Sequence, residues 1–252
     1  MSGHSHWATI RRKKGAQDAK RGQVFTRLAR EIVIAAREGG GDPGSNMRLQ
    51  IAIDHARASN MPKDNIERAI KRGTGDSKEG GAIEEAMYEG YAPHGIAIII
   101  SVVTDNRNRT VAEVRHVLNR YGGNMAEAGS VSWQFKRIAY FSFELDNHSP
   151  DEIFELAVEA GADDVTFEDN WAEIVGPVDV YKDIFDALKT ANISPDEAEL
   201  RMMPNNEAEL EVNETLQVMK VIEALEELDD VQDVYSTLSI SDSAMAQMAE
   251  YS

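Results

Sequence analysis

The sequence predicts an α+β protein in which an N-terminal helical bundle precedes two ferredoxin-like α/β domains, and the third domain is inserted in the second. Three observations support this class. Apolar residues recur at helical spacing near the N-terminus, strand-length apolar runs alternate with helical patterns later on, and one complete β-α-β-β-α-β succession lies inside an incomplete one. The predicted domains are residues 1–80, residues 81–135 together with 205–242, and residues 136–204.

The first predicted domain is a basic bundle of three helices. A helix should begin near Gln17, because its apolar residues recur every three or four positions, and Gly39–Pro43 ends it. The second helix has Ser45 as a plausible N-cap, and the third has Pro62 at its first position and stops at Gly73. The second and third helices resemble a helix-turn-helix, although we favour a plain helical hairpin that never enters a DNA groove.

The second predicted domain starts after a glycine-rich hinge at residues 73–81. Ile96–Thr104 is a predicted buried strand, and Val131–Phe135 is a candidate short strand. Thr110–Glu113 matches a capping box, so a helix begins there or one turn earlier. Residues 88–95 combine turn formers with two tyrosines, which is also typical of a packed loop.

The third predicted domain is a ferredoxin-like unit. Its elements are a strand at 138–145, a helix capped by Ser149, a hairpin around Asp169–Asn170, a second helix and a last strand at Glu199–Met203. One more helix and one more strand follow residue 206. We expect them to complete the unit that began before residue 135, which makes the third domain an insertion.

Charge is divided unequally between the two parts of the chain. The whole chain carries a net charge of −18, but residues 1–80 hold 16 basic and 9 acidic residues, and the remainder holds 10 and 35. A basic N-terminal domain can bind phosphate, whereas an acidic body repels it over about 8–10 Å at physiological salt. This distribution predicts a nucleic-acid partner despite the acidic total.

The strongest candidate site is a basic arm and helix near the N-terminus. Eight basic residues stand among the first 30 positions, against the single acid Asp18. They are Arg11, Arg12, Lys13, Lys14, Lys20, Arg21, Arg27 and Arg30. We predict that they bind nucleic acid, because so many neighbouring positive charges repel one another unless an anion neutralises them. We also predict that Trp7 either stacks on a base or packs in the core. A solvated tail without a specific partner is the alternative.

A second candidate site is the polar segment that follows the buried strand. Its two arginines, Arg107 and Arg109, precede a helix and could hold an anion or an RNA phosphate. Helix capping with two surface arginines explains the same pattern.

Several classes of function are disfavoured by the composition. The chain has no cysteine, which excludes disulfides, thiolate metal sites and a cysteine nucleophile. No phosphate-binding glycine motif and no hydrolase or zinc-protease motif occurs. We therefore expect a non-enzymatic protein without cofactor or metal. No apolar stretch reaches the roughly 18 residues of a membrane span, and no signal or transit peptide is expected, so we expect a cytoplasmic protein.

The sequence also resembles a known family. Residues 1–8 (MSGHSHWA), 14–22 (KGAQDAKRG) and 25–31 (FTRLARE) are similar to the opening of the YebC family, which includes the mitochondrial translational activator of cytochrome oxidase. Later similar segments are 39–43 (GGGDP), 88–91 (YEGY), 105–115 (DNRNRTVAEVR) and 229–235 (DDVQDVY). The resemblance implies a helical N-terminal domain and two α/β domains. Members usually carry Lys where this chain has His6, so one fixed charge of the arm is lost.

The resemblance implies two alternative roles. Some bacterial members are described as DNA-binding transcriptional regulators, which predicts that the basic domain binds duplex DNA. Others act on translation at the ribosome, including at proline-rich stretches, which predicts ribosomal RNA as the ligand and an acidic body facing basic ribosomal proteins. An enzyme using a cleft between the α/β domains is a third class, and only the acidic loops support it.

Overall fold

The computed structural model describes residues 18–75, 83–168, 170–241 and 243–244. It confirms the α+β class, with helices first and mainly antiparallel sheets after them, although the short strands Ala208–Glu209 and Leu238–Ser239 pair in parallel. The helices are α1 (Asp18–Gly39), α2 (Met47–Ala58), α3 (Lys63–Gly73), α4 (Arg107–Arg120), α5 (Pro150–Glu159), α6 (Tyr181–Thr190) and α7 (Val212–Glu226). The strands are β1 (Glu84–Tyr91), β2 (Ala97–Thr104), β3 (Asn124–Met125), β4 (Phe135–Glu144), β5 (Asp164–Glu168), β6 (Trp171–Gly176), β7 (Glu197–Pro204), β8 (Ala208–Glu209), β9 (Val231–Ser236) and β10 (Leu238–Ser239).

The chain divides into two compact units. One comprises the residues up to Gln134 together with those from Pro204 onward, and the other is Phe135–Met203. The first unit therefore contains α1–α4 and α7, and the second contains α5 and α6.

Helix α1 packs against both α2 and α3. Helix α1 is buried on all sides from Ile32 to Ala36, and these residues share one apolar core with α2 and α3. Gly73 ends α3 where the chain touches α1, since a Cβ there would lie 2.5 Å from the carbonyl oxygen of Val33. Only glycine allows this close approach.

Asn46, and not Ser45, is the N-cap of α2. Its side-chain oxygen accepts a hydrogen bond from the Leu49 amide at 3.1 Å. Its amide nitrogen donates to the carbonyl oxygens of Ala35 and Gly40 at 2.7 and 2.8 Å. The prediction of Ser45 was wrong because a hydroxyl has one donor, whereas the Asn amide satisfies the start of α2 and the end of α1 together.

Three other predicted boundaries shift by a few residues. Pro62 occupies the N-cap of α3 and is not its first helical residue. Helix α4 begins one turn before Thr110, with Asn106 as its N-cap accepting from the Arg109 amide at 3.2 Å. Residues 132–134 form a 3₁₀ turn instead of the expected strand at Val131–Phe135, and β4 begins at Phe135.

The sheet of the first unit has the order β3-β1-β2-β9, with antiparallel neighbours throughout. The segment around Tyr88 is the strand β1, although turn formers also suggested a loop. Glycine is needed at position 90, because a Cβ there would lie only 2.7 Å from the carbonyl oxygen of Asn124 in β3. One face of β2 packs on α4 and α7. Val103 and Ile83 instead join the core of the helical bundle, so bundle and sheet share buried surface.

The second unit has its own sheet of order β5-β6-β4-β7. In chain order this places the second, third, first and fourth strands side by side, which is the split β-α-β arrangement. Strands β5 and β6 form the expected hairpin, with Glu168 opposite Trp171. Ser149 caps α5 through a complete capping box with Glu152.

Candidate nucleic-acid interface

Part of the predicted basic arm lies outside the described residues. These positions are Trp7, Arg11, Arg12, Lys13 and Lys14. Lys20 and Arg21 belong to the first turns of α1, where the structure describes the backbone only. Their predicted contacts with nucleic acid therefore stay predictions.

Arg27 and Arg30 point from α1 toward the C-terminal part of the first unit. The Arg27 guanidinium donates to the carbonyl oxygen of Glu226, and that of Arg30 donates to the carbonyl oxygen of Asp229. Nη1 of Arg30 also lies 2.8 Å from Oδ1 of Asp230. Both guanidinium groups thus have partners inside the protein.

Asp230 is the centre of this polar cluster. Its carboxylate is only 2% exposed and accepts hydrogen bonds from Thr110 Oγ1 at 2.6 Å, Arg109 Nη2 at 2.7 Å and Thr104 Oγ1 at 3.0 Å. Burial alone would raise its pKa, but the hydrogen bonds from Arg109, Thr110 and Thr104 and the charge of Arg30 outweigh burial and lower it. Asp230 is consequently an ionised anchor that joins α1, β2 and α4.

Three of the segments that resemble the YebC family meet at this anchor. Residues 25–31 supply Arg30, residues 105–115 supply Arg109 and Thr110, and residues 229–235 supply Asp230. Sequence reasoning missed the role of Asp230, because acidic pairs are common in this chain and contacts between distant segments have no local pattern. For Arg109 the geometry supports a structural role. Its hydrogen bond to the Asp230 carboxylate raises the pKa of the Arg109 guanidinium.

Arg107 lies apart from the anchor. Its side chain is 57% exposed, and its Nε is 3.6 Å from Oε1 of Glu84. An exposed pair of this kind contributes little to stability, so Arg107 is available to a ligand.

A cleft of about 520 Å³ opens beside the same anchor. It lies between α1, α3 and the residues next to β1 and β2. Its apolar lining consists of Phe25, Ala29, Val33, Met61, Ala69 and Ile83. Arg30 also lines the cleft, so its contact with Asp230 fixes one wall.

Two arginines of α3 stand at the cleft. Arg68 is exposed and Arg72 is half-buried, and within the described ranges neither forms an ion pair or a side-chain hydrogen bond. Among the described residues, Asp105 is the one acid that lines the cleft, and its Oδ1 lies 3.0 Å from Nη2 of Arg109. The cleft is therefore apolar inside and cationic at its edge. Sequence reasoning did not single out Arg68 and Arg72. The signal that could have identified them is their spacing of four residues, which places both on one face of a helix.

Helix α3 does not present a basic N-terminus. Its first turn carries the exposed Asp64, and Lys63 pairs with Glu67 at 3.6 Å between Nζ and Oε1. A recognition helix of a helix-turn-helix uses its N-terminal residues at the base edges. The basic residues of α3 lie in its second half, which favours the plain helical hairpin.

Known proteins match this sequence along nearly the whole chain. Residues 5–76 match the TACO1/YebC protein N-terminal domain, and residues 83–238 match the TACO1/YebC second and third domain. The chain belongs to the TACO1/YebC family. A TACO1/YebC relative from Acidithiobacillus ferrooxidans is 51% identical over 249 residues, covering 98% of each chain, and is named a probable transcriptional regulatory protein.

Two further similar proteins support this membership. A relative from Chlorobaculum tepidum with the same kind of name is 49% identical over 251 residues, which are 99% of this chain and 100% of the relative. The crystal structure of a conserved hypothetical protein from Aquifex aeolicus superposes with a TM-score of 0.82 at 40% identity, covering 89% of this chain and 93% of that one.

Neither a metal-ligating cluster nor a membrane-spanning helix occurs among the described residues. They contain no group of three or more histidines and carboxylates placed to hold a metal ion. Within the same part of the chain, no helix has the length and apolar character that crossing a bilayer requires.

Proposed function

We propose that this protein is a non-enzymatic, cytoplasmic regulator of gene expression that binds nucleic acid through its N-terminal helical domain. The observation that carries the proposal is the pair Arg68 and Arg72, which stands at a cleft without partners among the described residues, on the same domain as the basic arm at 11–14. The names of the relatives support a role in transcription, and duplex DNA is the corresponding ligand.

The second candidate is a translation factor that binds ribosomal RNA. The charge distribution favours it, since the residues after position 80 hold 35 acidic and 10 basic side chains. Such a body opposes non-specific attachment to duplex DNA but is attracted to a basic protein surface. The cleft also suits an exposed base better than a base pair, because side chains reach single-stranded bases that are splayed out of a stack.

The proposal is tested with a variant that neutralises the arm, R11Q/R12Q/K13Q/K14Q. Its matched control, R115Q/R120Q/K182Q/K189Q, removes the same charge from exposed positions of the acidic body. Co-sedimentation with ribosomes and binding of duplex DNA are measured over a salt series. We expect the arm variant to lose binding and to show a shallower salt dependence, because fewer counterions are released.

The two targets give different outcomes. Salt-sensitive migration with ribosomes, lost only in the arm variant, supports the translation factor. Binding to duplex DNA without migration supports the transcriptional regulator. If the wild-type protein bound neither at low salt, or if the control lost as much affinity as the arm variant, the proposal would be wrong.

A further inference from the structure

We propose that the cleft between α1 and α3 binds one unstacked nucleotide of a single-stranded nucleic acid, with the base inside and a phosphate on Arg68 and Arg72. This inference rests on the proposed function and extends it to a defined ligand. The size of the cleft is the first argument. At about 520 Å³ its volume falls within the range of about 300–1,000 Å³ typical of small-molecule sites and is too small for a duplex.

The lining of the cleft suits the flat face of a base. Its apolar side chains come from α1, α3 and the two segments beside them, and Phe25 supplies an aromatic ring that is only partly buried. Aromatic stacking is sequence-tolerant, because every base has a π-face. An aliphatic peptide side chain also fits an apolar cavity, but it gives no role to the cations at the edge.

The charges at the edge select an anion. Arg68 and Arg72 have no acidic partner within the described residues, and the acid Asp105 is already bound to Arg109 at 3.0 Å. Two guanidinium groups spaced four residues apart on one helix can bind the same phosphate or two successive ones. The occupant is consequently both apolar and negatively charged, which describes a nucleotide.

Asn65 supplies the contact with the edge of the base. It lines the cleft from α3, and its side chain is half-buried. A carboxamide carries a donor and an acceptor side by side, which is the arrangement that pairs with base edges. Arg30 keeps the opposite wall in place through its 2.8 Å contact with Asp230, so the cleft is formed before the ligand arrives.

The experiment uses the full chain and a short single-stranded RNA with one 2-aminopurine, whose fluorescence reports unstacking. Two variants attack the cleft differently. R68Q/R72Q removes the charges, and Thr26→Trp fills the entrance from an exposed position of α1. The matched control is R37Q/K63Q, which removes two exposed positive charges of the same domain outside the cleft. Single-stranded and duplex DNA of the same sequence form the comparison arms.

We expect R68Q/R72Q to weaken RNA binding about tenfold or more relative to R37Q/K63Q, as for the loss of hydrogen bonds to a charged group. Thr26→Trp should abolish the 2-aminopurine signal. Equal binding by single-stranded RNA and DNA would mean that the cleft recognises only the base and the phosphate. Tighter binding of RNA would mean that it also contacts the ribose 2′-hydroxyl. If wild type bound RNA but R68Q/R72Q matched its control, the cleft proposal alone would be overturned. If wild type bound no nucleic acid, the proposed function itself would fail.

Discussion

Arg30 on α1 and Asp230 just before β9 form an ion pair of 2.8 Å between Nη1 and Oδ1. The pair joins the helical bundle to the last strand of the first sheet, and the Asp230 carboxylate has Thr104, Thr110 and Arg109 as its other partners. The same contact holds a wall of the cleft, so the stability of the first unit and the shape of the cleft depend on one buried carboxylate.

Replacing Asp230 by Asn should destabilise the protein strongly. The change leaves Arg30 and Arg109 without their counter-charge and puts amide hydrogens near them, which costs about 3 kcal/mol of unfolding free energy. Urea denaturation of wild type and Asp230→Asn, followed by circular dichroism, measures the loss. Glu155→Gln, on the exposed face of α5, is the control and should stay within about 0.5 kcal/mol of wild type. Coincident transitions for all three proteins would contradict the anchor role.

The contribution of Asp230 should disappear in acid. Its pKa in the folded protein is lowered below the ordinary aspartate value of about 3.9, so its stabilising effect is fully present above that value. As the pH falls through the lower folded-state pKa, the carboxylate becomes protonated and the effect is lost. Melting temperatures of wild type and Asp230→Asn should therefore differ most between about pH 5 and 7, and the difference should begin to shrink only as the pH falls below about 4. A difference that stays constant down to pH 3 would show that the ion pair is not its source.

Arg109 and Arg107 should behave differently although they are two residues apart. Arg109→Gln removes a hydrogen bond to the buried Asp230 and should lower the melting temperature by about 3 °C. Arg107→Gln removes only an exposed contact of 3.6 Å with Glu84 and should leave the melting temperature nearly unchanged. Differential scanning calorimetry measures the melting temperatures of the two variants. Equal shifts would mean that the contact with Asp230 does not make Arg109 more important for stability than Arg107.

Glu89 should control the order of the loop at residues 126–134. Its carboxylate accepts the backbone amides of Gly129, Val131 and Ser132 at 2.8, 2.6 and 2.9 Å. Burial would raise its pKa, but these three donors lower it. In Glu89→Gln one acceptor oxygen is replaced by a donor, so we expect roughly tenfold faster hydrogen exchange at these amides. Exchange in β4 serves as the internal control, and a uniform acceleration would indicate general destabilisation instead.

The spacing of apolar and turn residues predicted those helices and strands that are defined by short-range sequence patterns. The apolar stripe of α1 and the hairpin of β5 and β6 follow directly from spacing and turn residues. The split β-α-β order of the second unit also follows from the succession of its elements. Boundaries were predicted less well where a side chain bonds outside its own segment, as Asn46 does with the carbonyl oxygens of Ala35 and Gly40.

The candidate site could be predicted only in part. Clustered charge predicted a basic N-terminal domain, but it included Arg30, which binds a buried carboxylate, and it did not indicate Arg68, which has no such partner among the described residues. The difference depends on which distant residues each guanidinium meets after folding. No pattern within the residues around Arg30 or Asp230 indicates that contact.

The position of the unit Phe135–Met203 within the chain also sets the order in which parts of the protein can fold during synthesis. Gln134 and Asn205, on either side of that unit, are joined by a backbone hydrogen bond of 2.7 Å. The unit at Phe135–Met203 contains every strand of its own sheet and can fold as soon as it emerges. The helical domain is translated first, yet β9 and Asp230 come from the last part of the chain. Arg30 therefore cannot form its ion pair with Asp230 until translation is almost complete. In a prematurely terminated chain the basic domain would lack this ion pair.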